Sequence, residues 1–149
     1  MTRAALTSAL CYRDPKAALK WLEAAFGFET VMLIEDNDGN LARSEMRFGD
    51  SLIMIGNEWT AHHKSPASID GFNTQTVHIQ LEGDIDAHCE RARAAGAEIL
   101  MEPEDQFYGD RSYRCRDLEG HFWTVGAPIR PVTREEAEAA SGLKIQGWV

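Results

Sequence analysis

The sequence predicts an α+β chain made of two tandem βαβββ modules, and three observations predict it. Punctuating residues recur at one period: Asp14 and Asp84 are 70 residues apart, Gly27 and Gly96 69, Gly49 and Gly120 71, and Gly56 and Gly126 70. Each Asp–Gly interval holds one amphipathic helical stretch. Each is preceded by one strand-like run and followed by three. Self-similarity at a fixed period marks a duplicated supersecondary unit whose copies bury a shared core.

The elements follow in order. Residues 6–12 form a first strand-like run, matched by 76–81 in the second copy. Asp14 is a good helix N-cap, Pro15 suits the first helical position, and Gly27 suits the position just past the end. Between them Ala18, Leu22, Ala25 and Phe26 form one apolar stripe. Strands are then predicted over 29–35, 41–48 and 51–55, with Asp38-Gly39-Asn40 and Phe48-Gly49-Asp50 as turns. The second copy repeats this with a strand over 76–81 and a helix from Asp84 to Gly96 striped by Ile85, Cys89 and Ala92. Strands over 98–102, 111–116 and 122–125 complete it.

One domain therefore spans 1–130, with module one at about 5–57, a linker at about 58–75 carrying Ser65, Pro66, Ser68 and Gly71, and module two at about 76–127. Residues 131–149 carry a short helix and a tail: Thr133-Arg134-Glu135-Glu136 is a capping box and Gly142 a stop. Ile145 and Trp148 read as anchors onto the body or a partner.

Composition narrows the function. The chain has 149 residues, 24 acidic and 15 basic, with a net charge of −9. That field repels phosphate backbones, and the densest basic cluster, Arg111, Arg114 and Arg116, is interleaved with Asp110, Asp117 and Glu119. No nucleic-acid partner is expected. No apolar run reaches the ~18–20 residues that cross a bilayer, and the first fifteen residues lack a secretory apolar region. Neither a membrane nor a secreted location is expected. Cys11, Cys89 and Cys115 form neither a disulfide framework nor a C-x-x-C site, which fits a reducing cytoplasm.

Two segments carry a family resemblance: Tyr108-Gly109-Asp110-Arg111-Ser112-Tyr113 and Asp117-Leu118-Glu119-Gly120-His121-Phe122-Trp123. Tyr12-Arg13-Asp14-Pro15 and Ala25-Phe26-Gly27-Phe28 add to them. From about 5 to 127 the chain resembles the vicinal oxygen chelate superfamily. That group holds glyoxalase I, extradiol dioxygenases, methylmalonyl-CoA epimerase and the fosfomycin and bleomycin resistance proteins. The resemblance implies half-barrel sheets, paired in a homodimer around a cavity. In metal-dependent members it also implies ligands on the first and last strand of each module. Here those positions are Ser8 (or Thr7 with the register moved by one), Ile53 or Met54, His78 and Thr124. Of these, His78 alone is a good ligand for a divalent metal.

Two functions from different classes follow. The leading one is metal-independent binding of a small aromatic or cationic compound, sequestered in the manner of bleomycin resistance proteins, with no cofactor. The alternative is a glyoxalase-like metal-dependent lyase, isomerase or dioxygenase using His78, with Glu45 as a further metal candidate. A metal-free enzyme with His78 as acid or base is a third form. The expected ligand contacts are His78 and Gln80, which alternate with the apolar Val77 and Ile79, together with Trp59, Phe107, Tyr108, Arg111 and Trp123. Core packing competes for Trp123, and loop fixation competes for Arg111. His62 and His63 read as loop residues, His121 as part of a structural turn, and Glu45 as part of a charged face on an edge-like strand.

Overall fold

A computed structural model describes residues 3–149. Module one comprises β1 (Ser8–Tyr12), α1 (Pro15–Phe26), β2 (Glu29–Glu35), β3 (Leu41–Phe48) and β4 (Ser51–Asn57). Module two comprises β5 (Thr76–Gln80), α2 (Ile85–Ala94), β6 (Glu98–Asp105), β7 (Asp110–Arg116) and β8 (Phe122–Pro128). A last helix, α3, covers Arg134–Ser141. The sheets have orders β1-β4-β3-β2 and β5-β8-β7-β6, so the two copies share one topology. In each, the first strand runs parallel to the last and the other pairings are antiparallel.

The predicted punctuation holds both helices. Asp14 and Asp84 accept hydrogen bonds from the backbone N–H of Ala17 and Ala87, each at 3.1 Å. Gly27 and Gly96 follow the helices at φ 78° and 100°, which costs glycine little. Strand β6 runs to Asp105, past the expected end at residue 102. It lies at the sheet edge, where Pro103 has no ladder bond to lose.

One core serves both copies. The apolar stripes of α1 and α2 are buried with Leu10, Tyr12 and Ile55 of module one and Tyr113, Trp123 and Val125 of module two. Phe26 and Phe28 meet the Trp123 ring edge-on at 5.1 and 5.7 Å, so the aromatics themselves cross the module boundary. Each such side chain contributes roughly 1.5–3 kcal/mol by leaving water. Polar bonds add direction. Arg91 donates to the Ala24 and Glu23 carbonyls at 2.8 and 3.0 Å, placing a cation at the C-terminal end of α1.

The turn between β7 and β8 locks the modules together. Asp117 accepts the Tyr12 hydroxyl at 2.6 Å and the Trp123 indole N–H at 3.0 Å, and also takes the backbone N–H of Glu119 and His121. Glu119 accepts from the backbone N–H of Arg13 and Asp14 at 2.7 and 2.9 Å, ahead of α1. His121 donates from Nε2 to the Cys11 carbonyl at 2.8 Å, as predicted for a structural histidine.

Beyond β8, Thr133 caps α3 by accepting from the Glu136 N–H at 3.1 Å, and Gly142 ends it at φ 73°. The Trp148 indole donates to the Val132 carbonyl at 3.0 Å, so the tail folds back on the stretch just before α3. No helix is long and apolar enough to cross a membrane among the described residues.

Candidate functional site

Each sheet has one face on the helices and one turned away from them. The pairing register decides what stands on the second, concave face. In module one, Ala9 pairs with Met54, Met54 with Glu45, and Cys11 with Gly56. In module two, His78 pairs with Thr124, Thr124 with Arg114, and Gln80 with Gly126. The position matching His78 in module one is thus Ala9. Ser8, the sequence assignment, has the opposite parity, shared with the core residues Leu10 and Tyr12. The four superfamily metal positions are Ala9, Met54, His78 and Thr124. One imidazole, one thioether, one hydroxyl and one methyl do not fit a divalent ion that takes several nitrogen or carboxylate donors.

A cavity of about 470 Å³ opens on the concave face of module one, its walls including Cys11, Arg43, Met54 and Gly56, with Trp59 and His63 at the rim. Most of that wall is apolar, the make-up of a small-molecule site. Trp59 is 70% exposed and its ring stacks on His63, with centroids 4.4 Å apart. The His63 ring is held in turn by Thr60, Oγ1 to Nδ1 at 2.7 Å. His62 and His63 also border a polar cavity of about 190 Å³ beside β1 and the linker, together with Lys64 and Asn73. A third, of about 320 Å³, lies where β1 and β4 approach β5.

On module two, His78 and Gln80 share the concave face, as their alternation predicts. His78 Nε2 bonds Gln80 Oε1 at 3.1 Å, and the Gln80 amide nitrogen reaches toward Asp110 at 3.5 Å. Because Gln80 presents its oxygen, His78 donates from Nε2. Gly126 lies beneath this group: a Cβ there would stand 3.6 Å from both His78 and Asp110, at ordinary contact distance.

The remaining expected residues lie elsewhere. Trp123 is fully buried in the core and bonded to Asp117, the packing role that competed with ligand contact in the sequence. Arg111 bonds Asp86 and Asp105 at 3.0 and 2.9 Å, fixing the β6–β7 hairpin to α2. Phe107 and Tyr108 pack edge-on against each other at 5.1 Å in that hairpin and border none of the three cavities. Glu45 is neither solvated nor on an edge strand. β3 is an inner strand, and Glu45 is only 4% exposed beneath Arg3 and Arg43. The Arg3 guanidinium holds its carboxyl below the usual range, against the opposing effect of burial. Sequence reading missed Arg3, since nothing local links it to a residue 42 positions away. Cys89, Glu90 and Glu102 come within 4.8 Å of one another, but Arg93 already bridges both carboxylates.

With this geometry in view, comparison with known proteins fixes the class. The profile of the Glyoxalase/Bleomycin resistance protein/Dioxygenase superfamily matches residues 5–125, and the chain belongs to that superfamily. An uncharacterized protein of Mycobacterium bovis is 30% identical over 147 residues, covering 96% of this chain and 95% of that one. The crystal structure of TioX from Micromonospora sp. ML1 superposes with a TM-score of 0.66 at 29% identity, over 87% of this chain and all of the other. A superfamily member from Sphaerobacter thermophilus reaches 0.67 at 19% identity, over 85% of this chain and 98% of that one, and so speaks for the fold alone.

Proposed function

We propose that this protein binds a small aromatic or cationic organic molecule on the concave face of module one and acts by sequestering it, in the manner of bleomycin resistance proteins. The observation that carries this reading is the apolar cavity of about 470 Å³ with an exposed Trp59 indole at its rim. An indole stacked on His63 offers a flat, solvent-facing platform at the cavity rim, and stacking against such a ring needs no metal and no turnover. The net charge of −9 raises the local concentration of cations. Three free thiols, two of them buried, suit the reducing cytoplasm as the place of action.

The binding form is a homodimer. The sheets of one chain share no strand pairing, and β1 and β5 each end a sheet with an unpaired edge. Leu6 and Phe72, 89% and 72% exposed, border the cavities beside β1, where a second copy would cover them. Such a copy would set its polar module-two face over the apolar module-one face and enclose the ligand. Light scattering should give a dimer mass.

Tryptophan fluorescence titration against a panel of neutral and cationic planar aromatics tests the function. Trp59→Ala should weaken binding about tenfold, since stacking is worth roughly 1–2 kcal/mol, whereas Phe107→Ala should leave it unchanged. Absence of saturable binding across the panel, or conversion of a bound compound, overturns the reading.

A further inference from the structure

Glu45 is a buried carboxylate on the same face as the cavity, opposite Met54 at the centre of β3. A carboxylate leaves water at low cost only when cations or N–H donors replace the solvent. Here the replacement comes mainly from a residue outside the sheets. Arg3 grips Glu45 as a fork, Nη1 donating to Oε2 at 3.2 Å and Nη2 to Oε1 at 2.5 Å. Arg43 adds a longer contact, from Nη2 to Oε1 at 3.5 Å, and the same nitrogen lies 3.8 Å from Met54 Sδ.

The segment that brings Arg3 there is slight. Residues 3–7 carry neither helix nor strand. Among the described residues this segment makes no hydrogen bond other than the two to Glu45. The Arg3 side chain itself is 53% exposed while the carboxylate under it is not. A tethered, half-solvated guanidinium thus occupies a charged spot next to Arg43 and Met54, two residues that line the cavity.

We propose that Glu45 recognises the cationic head of the ligand, a planar amidinium or guanidinium, and that Arg3 is a tethered stand-in that the ligand displaces. This rests on the ligand site proposed for module one. The ligand class follows from the geometry Arg3 displays: two parallel N–H donors from one planar cation meet the two carboxylate oxygens, a match that a spherical ammonium does not reproduce. Trp59, across the same cavity, supplies the ring face for an aryl group attached to that head.

Benzamidine, a cation at neutral pH, and benzamide, its neutral counterpart, are the probes, titrated by calorimetry against the intact protein. The Arg3 side chain is half-exposed and its hold on Glu45 is screened by water, so removing the competitor should tighten binding up to about fivefold. Arg3→Ala should therefore bind benzamidine about three- to fivefold tighter than the unaltered protein and benzamide no tighter. Arg3→Lys, which keeps charge but loses the fork, should fall between them. Glu45→Gln should reduce benzamidine to the level of benzamide.

Benzamidine binding that is unchanged or weakened in Arg3→Ala overturns the proposal. That comparison decides even where Glu45→Gln fails to fold. Should the aromatic panel bind and respond to Trp59→Ala while benzamidine ignores Arg3, only the stand-in role falls. Should the panel fail to bind any variant, the ligand site falls with it.

Discussion

The two half-barrels share a backbone and differ in chemistry. Equivalent concave positions hold Ala9 and His78, Cys11 and Gln80, Met54 and Thr124, and Glu45 and Arg114, while the glycines Gly56 and Gly126 coincide. Module one presents a largely apolar surface with one covered carboxylate. Module two presents an imidazole, an amide and, where module one has Glu45, Arg114. The faces turned toward the helices kept one task, packing a common core. The concave faces are free of that task, so they are where duplication produced specificity, and fold alone does not reveal what they bind.

The largest expected asymmetry lies between the turns. The turn from β3 to β4 is tight, and among the described residues its one side-chain bond runs from Ser51 to Asp50. The matching turn from β7 to β8 holds Asp117, the acceptor for two buried donors. Asp117→Ala leaves the Tyr12 hydroxyl and the Trp123 indole N–H without partners, at ~1–3 kcal/mol each, so a loss of about 3–5 kcal/mol is expected. Ser51→Ala should stay within ~0.5 kcal/mol. Urea unfolding checks both, and a loss below ~1 kcal/mol for Asp117→Ala would remove the turn from the module lock.

The hairpins at the other end come next. Gly39 and Gly109 occupy equivalent β-turns at φ 80° and 97°. A side chain at Gly39 would find Glu35 Oε2 at 3.8 Å, whereas one at Gly109 would strike the Arg130 carbonyl at 2.5 Å. The stretch after β8 crosses only the second hairpin, and its Ile129 and Arg130 N–H groups bond the Gly109 carbonyl at 2.9 and 3.3 Å. Gly39→Ala should cost ~1–2 kcal/mol for the left-handed backbone alone. Gly109→Ala should cost ~3 kcal/mol or more, because backbone must also move. Equal thermal shifts for the two would contradict this.

These contrasts show what the sequence could and could not carry. Asp14, Gly27 and their copies act through local backbone geometry, so a period of about 70 made both helices and the succession of elements along the chain legible. His78 and Gln80 were legible because alternation assigns a face. The exact register was not: Ser8 and Ala9 differ by one residue, and only pairing with β4 decides between them. Strand and loop placement already separated Trp123, where core packing competed, from Trp59, and the structure seals the first with Phe26 and Phe28 and leaves the second bare. Arg3 over Glu45 depends on where a segment without regular structure is laid down, which no pattern of spacing encodes.

The helices supply a pH-dependent contrast. Where α1 buries Ala18, α2 places His88, 70 residues on, with Nδ1 bonded to the Tyr113 hydroxyl at 2.6 Å and the ring stacked on Phe26. Burial, with Arg91 one turn away, pushes its pKa below the ordinary histidine value. Well above about pH 6.5 both states carry it neutral, so it adds no pH dependence there. As pH falls below that, the unfolded chain takes up the proton first and the fold loses stability. Unfolding free energy at pH 5.5 should therefore be lower than at pH 7.5. His88→Ala, which restores the module-one residue, should flatten that slope whatever it does to absolute stability. A slope that persists unchanged in the variant would assign it to other groups.

The smallest effect concerns a contact both copies share. Arg47 pairs with Glu29 at 2.9 Å and Arg116 with Glu98 at 3.4 Å, at the same place in their sheets. Both arginines are more than a third exposed, so each ion pair contributes little, ~0.2–0.5 kcal/mol after solvent screening. The residues across the ladder differ: Arg47 stands opposite Leu52, and Arg116 opposite Phe122. The Arg116 guanidinium carbon sits 4.8 Å from the centre of the Phe122 ring, a cation–π contact that module one lacks. Such a contact is worth ~0.5–1 kcal/mol at a partly exposed site. Arg116→Ala should therefore cost ~0.5–1 kcal/mol more than Arg47→Ala in chemical unfolding. Phe122→Leu, by making the two registers alike, should remove most of that difference. A gap that survives Phe122→Leu would place the extra stability in the Glu98 pair, and would mean that the two copies differ in their ion pairs and not in the ring beneath them.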